Sequence, residues 1–148
     1  MNPLWWWRLD KLPIIWIVED DASTQRLVAE HLKVRGFRPV LFDTAEKAYA
    51  AMRVGLSGES PEPPPALIIL DMLLPGMSGV DLIRLLKQNK AWGKIPVVVV
   101  TVLSRKDSLS VEADAEGAFW VNKPFDAGHL MSTIEDVLAS VAQGRKQS

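Results

Sequence analysis

The chain has no cysteine, so disulfides, thiol nucleophiles and thiolate metal sites are excluded. It has no excess of either charge. Seventeen basic residues against 18 acidic ones leave a formal net charge of −1, which gives nucleic acid or a membrane surface no electrostatic handle. No apolar run approaches the ~18 residues of a membrane span. The longest, residues 12–18 and 95–103, have the length of buried strands. The opening MNPLWWWR lacks the basic start, long apolar run and small-residue cleavage site of a secretory signal, so a cytoplasmic location is expected. Neither GxxxxGK[ST] nor a GxGxxG after the first strand is present, which leaves nucleotide binding poorly supported.

What is present is an alternation of short apolar runs with amphipathic stretches over 148 residues, 48% of them apolar, enough for one core. Strands are expected at residues 13–18, 38–42, 67–70, 95–101 and 118–121, several of them apolar throughout, as when both sheet faces are covered. A first helix over 23–35 would bury Leu27, Val28 and Leu32 and end at Gly36. Thr44 would cap a second, carrying Ala48, Ala51 and Met52 and stopping near Gly55. Residues 55–66, GLSGESPEPPPA, read as a loop and a tolerated surface insertion. Pro75 and Gly76 make a turn, and Ser78 would cap a third helix burying Leu82, Ile83, Leu85 and Leu86. The stretch 106–116 is polar for a helix, with only Leu109, Val111 and Ala113 to bury. Asp126 would cap a fifth helix whose apolar residues Leu130, Ile134, Val137, Leu138 and Val141 follow the helical period.

Five such units imply one α/β domain, a doubly wound parallel sheet with helices on both faces. The domain is expected over residues 13–142, between a tryptophan-rich extension, 1–12, and a polar tail, 143–148. In such folds ligands bind beyond the carboxyl ends of the strands, at the switch in strand order. Strand one ends in Glu19, Asp20 and Asp21, strand three in Asp71, strand four in Thr101, and strand five is followed by Lys123 and Pro124. Clustered carboxylates need a positive offset. Mg²⁺ suits an all-oxygen site, Lys123 adds a second positive charge, and Thr101 a hydroxyl. These are parts for phosphoryl transfer, with Asp71, alone at its strand end, the best nucleophile candidate.

At this point four blocks resemble response-regulator receiver domains of two-component signalling: WIVEDDASTQRLV (16–28), LIILDMLLPGMSGVDLI (67–83), VVVVTV (97–102) and VNKPF (121–125). The resemblance covers about residues 14–141. It implies a flavodoxin-like sheet of order 2-1-3-4-5. It further implies Asp71 as phosphoacceptor and Glu19 and Asp20 as the acidic pair. Mg²⁺ would be held by Asp20, Asp71, the backbone carbonyl of Leu73 and, through water, Glu19. Thr101 would be the switch hydroxyl, Trp120 the switch aromatic and Lys123 the phosphate-binding lysine, with Lys123–Pro124 cis. The partners implied are a sensor histidine kinase or phosphotransfer protein and a downstream protein target. A homodimer is possible, and DNA binding by this chain itself is not expected.

The sequence also departs from the family pattern. Val102 stands where a small residue is usual and could crowd the phosphoryl site; Leu73 and Leu103 are apolar at water-access positions; Trp120 is bulkier than the usual Tyr or Phe. Two rival functions share parts of this pattern. Aspartyl-phosphate phosphatases carry DxDxT, but here Met72, Leu73 and Leu74 follow Asp71. A pseudo-receiver would keep the fold and act by protein contact without phosphorylation, although all five chemical positions are filled. Asp21 is expected only to cap the first helix, Trp16 and Trp92 to be packing residues, and His31 and His129 to be surface or packing residues. The Trp5–Trp7 run is either an extension without a role or an apolar patch that packs on the domain or on a second chain.

Overall fold

The computed structural model of the chain describes residues 11–56 and 63–144. Five strands, β1 (Ile14–Val18), β2 (Arg38–Phe42), β3 (Leu67–Leu70), β4 (Val97–Thr101) and β5 (Phe119–Asn122), form one parallel sheet in the order β2-β1-β3-β4-β5. Five helices follow them: α1 (Ala22–Val34), α2 (Ala45–Leu56), α3 (Gly79–Lys87), α4 (Ser108–Ala115) and α5 (Ala127–Ala142), with a short 3-10 turn at Trp92–Lys94. Chain order reverses between β1 and β3, so the carboxyl ends of those strands frame the crevice of a doubly wound sheet.

The strand side chains alternate between two apolar layers. Ile15, Ile17, Leu67, Ile69, Val98, Val100 and Val121 face α1 and α5, which contribute Val28, Ala29, Leu32, Leu130, Met131, Ile134 and Val137. Ile14, Trp16, Val18, Ile68, Leu70, Val97 and Val99 face α2, α3 and α4. The near-continuous apolar strands of the sequence are thus explained by burial on both sides.

Three expected core residues lie outside it. Leu27 is exposed because Val28, Ala29 and Leu32 carry the buried face, about 100° round the helix. Val141 is exposed in the last turn of α5. Val111 is 56% exposed, because Leu109, Ser110 and Ala113 share one face of α4 and a residue two places after Leu109 points the other way. Leu85 is half-buried rather than buried. Strand bounds move by one or two residues: β1 starts at Ile14 and β4 at Val97, after Pro13 and Pro96, which have no N–H yet still accept bonds from Arg38 (2.9 Å) and Ile68 (3.0 Å).

Helix starts follow the capping residues. Asp21, Ser78, Asp107 and Asp126 each accept a first-turn N–H, Ser78 within a capping box, and Thr44 Oγ1 accepts Lys47 N–H at 3.1 Å. Gly79, the first residue of α3, has a separate role. A Cβ there would lie 2.7 Å from the Asp71 carbonyl oxygen and 3.0 Å from Met72 Cα, both backbone atoms. Its N–H also donates to Met72 O at 3.3 Å. Only glycine lets α3 start against the turn that carries Asp71.

Gly79→Ala is therefore expected to lower stability by about 1–3 kcal/mol in urea unfolding, as overpacking does. Gly55→Ala, whose Cβ would meet only Trp92 at 3.5 Å, is expected to be neutral or stabilising. Equal loss in both would show that the close approach at Gly79 is not what constrains this turn.

Candidate functional site

β1 and β3 are in register from Ile15↔Leu67 to Val18↔Leu70, so the next residues, Glu19 and Asp71, emerge side by side. Asp71 N–H donates to Val18 O at 3.0 Å, and Glu19 N–H to Phe42 O at 3.0 Å, which continues both pairings one residue beyond the strands. Gln25 of α1 donates from its side chain to Glu19 O and, at 3.4 Å, to Phe42 O, tying the β1 end to the first helix.

The carboxylate oxygens of Glu19, Asp20 and Asp71 lie within 4.8 Å of one another. Glu19 and Asp71 are buried; Asp20 is exposed. Lys123, beyond β5, reaches back across the end of β4. Its ammonium bonds Glu19 Oε1 and, at 3.0 Å, Asp71 Oδ2. Asp71 Oδ1 accepts Leu73 N–H at 3.0 Å. The Lys123–Pro124 bond is cis.

Burial pushes the Glu19 carboxyl up to about 7. Its bond from Lys123 opposes that rise, and the neighbouring Asp71 adds to it. Burial by itself would lower the Lys123 ammonium, but its bonds to Glu19 and Asp71 win and hold it above the ordinary lysine value. Asp21 turns away from the cluster. Its Oδ2 takes the Thr24 and Ser23 hydroxyls and the Thr24 N–H, which hold its carboxyl down at about 2 as the cap of α1.

Thr101 is fully buried at the end of β4, where Oγ1 accepts Leu103 N–H at 3.2 Å. Lys123 N–H donates to Thr101 O at 2.7 Å, and Asn122 Nδ2 to Leu103 O at 3.0 Å, so the β4 and β5 ends hold one another. Trp120 is half-buried beside α4, with the Arg105 guanidinium 5.6 Å from its ring centroid. Val102 is 63% exposed and Leu73 46%, with Leu103 half-buried. Val102, expected to crowd the site, thus has most of its surface in solvent.

The structure thus brings Glu19, Asp20, Asp71 and Lys123 together and places Thr101 on the strand that Lys123 crosses. Gln25, Gly79 and Asn122 hold the frame without any signal in the sequence, because each acts through a backbone partner that only the fold brings near. Three carboxylates against one ammonium leave two negative charges among these groups, all on oxygen donors, which fits a hard divalent cation such as Mg²⁺. Among the described residues no helix is long and apolar enough to cross a membrane.

The family model of the response regulator receiver domain matches residues 15–135. The chain is 30% identical over 128 residues to the phosphate regulon transcriptional regulatory protein PhoB of Klebsiella pneumoniae, covering 86% of this chain and 52% of that protein. It is 28% identical over 127 residues to the DNA-binding transcriptional regulator NtrC of Salmonella typhimurium, covering 85% of this chain and 25% of that one. The chain therefore spans about half, or less, of the curated relatives it matches. The signal receiver domain of a signal transduction histidine kinase from Syntrophus aciditrophicus superposes with a TM-score of 0.75 at 28% identity, over 92% of this chain and 96% of that domain. Sheet order, strand-end chemistry and family match agree: the chain belongs to the response regulator receiver domains of two-component signalling.

Proposed function

We propose that Asp71 accepts a phosphoryl group from a phosphohistidine on a sensor histidine kinase or phosphotransfer protein, and that Glu19, Asp20, Asp71 and the Leu73 carbonyl hold the Mg²⁺ that this needs. The observation that carries the reading is the Lys123 ammonium set on both Glu19 and Asp71, two buried carboxylates that cluster with the exposed Asp20. A bound divalent ion would supply charge neutralisation for the transferring phosphoryl oxygens. Asp71 Oδ attacks phosphorus; the P–N bond to the donor imidazole breaks, and that nitrogen keeps the electron pair. Lys123, already beside Asp71 Oδ2, turns to a phosphoryl oxygen. Thr101 Oγ1 accepts a bond but has its own proton to donate, and the phosphoryl group is the acceptor proposed for it.

The same event biases a surface around α4 and β5 that a downstream protein reads, and that a second copy of the chain could share. Two polar atoms buried there, Ser110 Oγ and Trp120 Nε1, have no hydrogen-bond partner among the described residues. An arrangement that leaves such groups unpaired is held less firmly than the core, which suits Trp120 to a switching role with Thr101.

Incubation with acetyl phosphate and Mg²⁺ is expected to add one phosphoryl mass to the intact chain, and to add none to Asp71→Asn or in EDTA. A folded wild type that gains nothing would favour the pseudo-receiver reading.

Mg²⁺ affinity should fall as pH is lowered through about 7, because protonated Glu19 is lost to the metal. For folding the sign follows from the same shift. The folded carboxyl binds its proton more tightly than an ordinary glutamate, so without metal the contribution of Glu19 to stability is greatest at low pH and is lost as pH rises from about 4.5 to about 7. A calorimetric Mg²⁺ titration that is flat across that window would contradict the assignment of Glu19.

Leu73, Val102 and Leu103, which follow Asp71 and Thr101 closely in the chain, are all apolar and would give an attacking water little hydrogen-bonding company. Loss of the phosphoryl group is therefore expected to be several-fold slower than in the Leu73→Asn, Leu103→Glu variant. Equal half-lives, followed by intact mass, would rule this out.

A further inference from the structure

An apolar groove of about 170 Å³ opens beside β1 and β2. It is lined by Ile14, Trp16, Val40, Phe42, Ala51 and Trp92, together with Gly55 and Pro63. Trp16 makes an edge contact with Phe42 at 4.7 Å between centroids and a tilted one with Trp92 at 5.1 Å, so the lining is aromatic. Apolar cavities of roughly 150 Å³ take up one benzene ring. This groove has room for one ring of an aromatic side chain, with an open mouth where an indole N–H could stay wet.

Three features of the chain identify the occupant. Residues 57–62, which precede Pro63 in the sequence, read SGESPE and carry no large apolar side chain. Residues 1–10 read MNPLWWWRLD, with three consecutive tryptophans. That segment enters the fold at the groove itself, because Ile14 is one wall and Pro13 O is fixed to Arg38 N–H at 2.9 Å. The seven residues from Trp7 to Ile14 can span up to ~25 Å, ample for one of these indoles to reach the groove. Pairing of this segment along the β2 edge is interrupted by Pro39, which has no N–H to give, so side-chain insertion is the favoured contact.

We propose that this groove is the docking site of the chain's own Trp5–Trp7 segment, one indole seating against Trp16, Phe42 and Trp92. The contact completes the core on the β2 side and fixes the N-terminal segment to the domain.

The test uses the full chain labelled with fluorotryptophan, its six indole signals assigned by single Trp→Phe substitutions. One of the Trp5–Trp7 signals is expected to be shifted and shielded from a soluble paramagnet, independently of protein concentration. Ala51→Leu, which fills the groove, should return that signal to the exposed position and leave Trp120 unmoved. Val40→Phe does the same from the opposite wall should Ala51→Leu disturb α2. Three exposed signals in the wild type would overturn the proposal. So would shielding that disappears on dilution, which would assign the groove to a second copy, or shielding that survives both filling variants.

Discussion

One ammonium group organises this molecule. Lys123 lies between Glu19 and Asp71, two carboxylates that the sheet has taken almost wholly out of water. Side by side, buried and unpaired, they would resist ionisation strongly. The sheet order makes the lysine's task geometric as well as electrostatic. β4 separates β3 from β5, so the side chain must pass over the end of β4 to reach Asp71. Thr101 sits at that end, and the Lys123 N–H is pinned to the Thr101 carbonyl at 2.7 Å. The ends of β1, β3, β4 and β5 are therefore bound into one unit by the residues proposed to carry the chemistry.

The pairing is also incomplete in charge. Lys123 satisfies one oxygen of each buried carboxylate, while Asp20 stays exposed and brings the third. Burial raises Glu19 to about 7 even with the lysine in contact, so its charged form stays disfavoured in spite of the ion pair. Under the proposed function a divalent cation would add the positive charge these carboxylates lack, and a phosphoryl group would bring negative charge back. The lysine and the cation would then compete for the carboxylates before transfer and act together on the phosphoryl oxygens after it.

Strands buried on both faces left apolar runs in the sequence, and the acidic, hydroxyl and lysine residues follow those runs at once; this is why Glu19, Asp20, Asp71, Thr101 and Lys123 could be named before the fold was seen. Helices with a strong cap and a full apolar face, such as α3 and α5, were equally legible. α4 was not. Its eight residues bury only Ser110 and Ala113 completely, and Val111, its most apolar residue, points to solvent. Periodicity has little to act on in so short a helix. Gly79 and Gln25 were invisible for a different reason. Their partners are backbone atoms of Asp71, Met72, Glu19 and Phe42, brought near only by the crossovers. The Trp5–Trp7 run, whose role the sequence left open, lies outside the described residues, but the aromatic groove beside β2 gives it a chemically suited site.

In the proposed mechanism Lys123 holds the two buried carboxylates until a cation takes its share of them. Calorimetric titration of Mg²⁺ into the wild type and Lys123→Met, at a pH well above the Glu19 midpoint of about 7, tests it directly. Removing the ammonium should tighten Mg²⁺ binding severalfold, because three carboxylates then face the ion without a rival. Unchanged or weaker binding in a folded Lys123→Met chain would contradict the account, since the lysine would then be a bystander to the site.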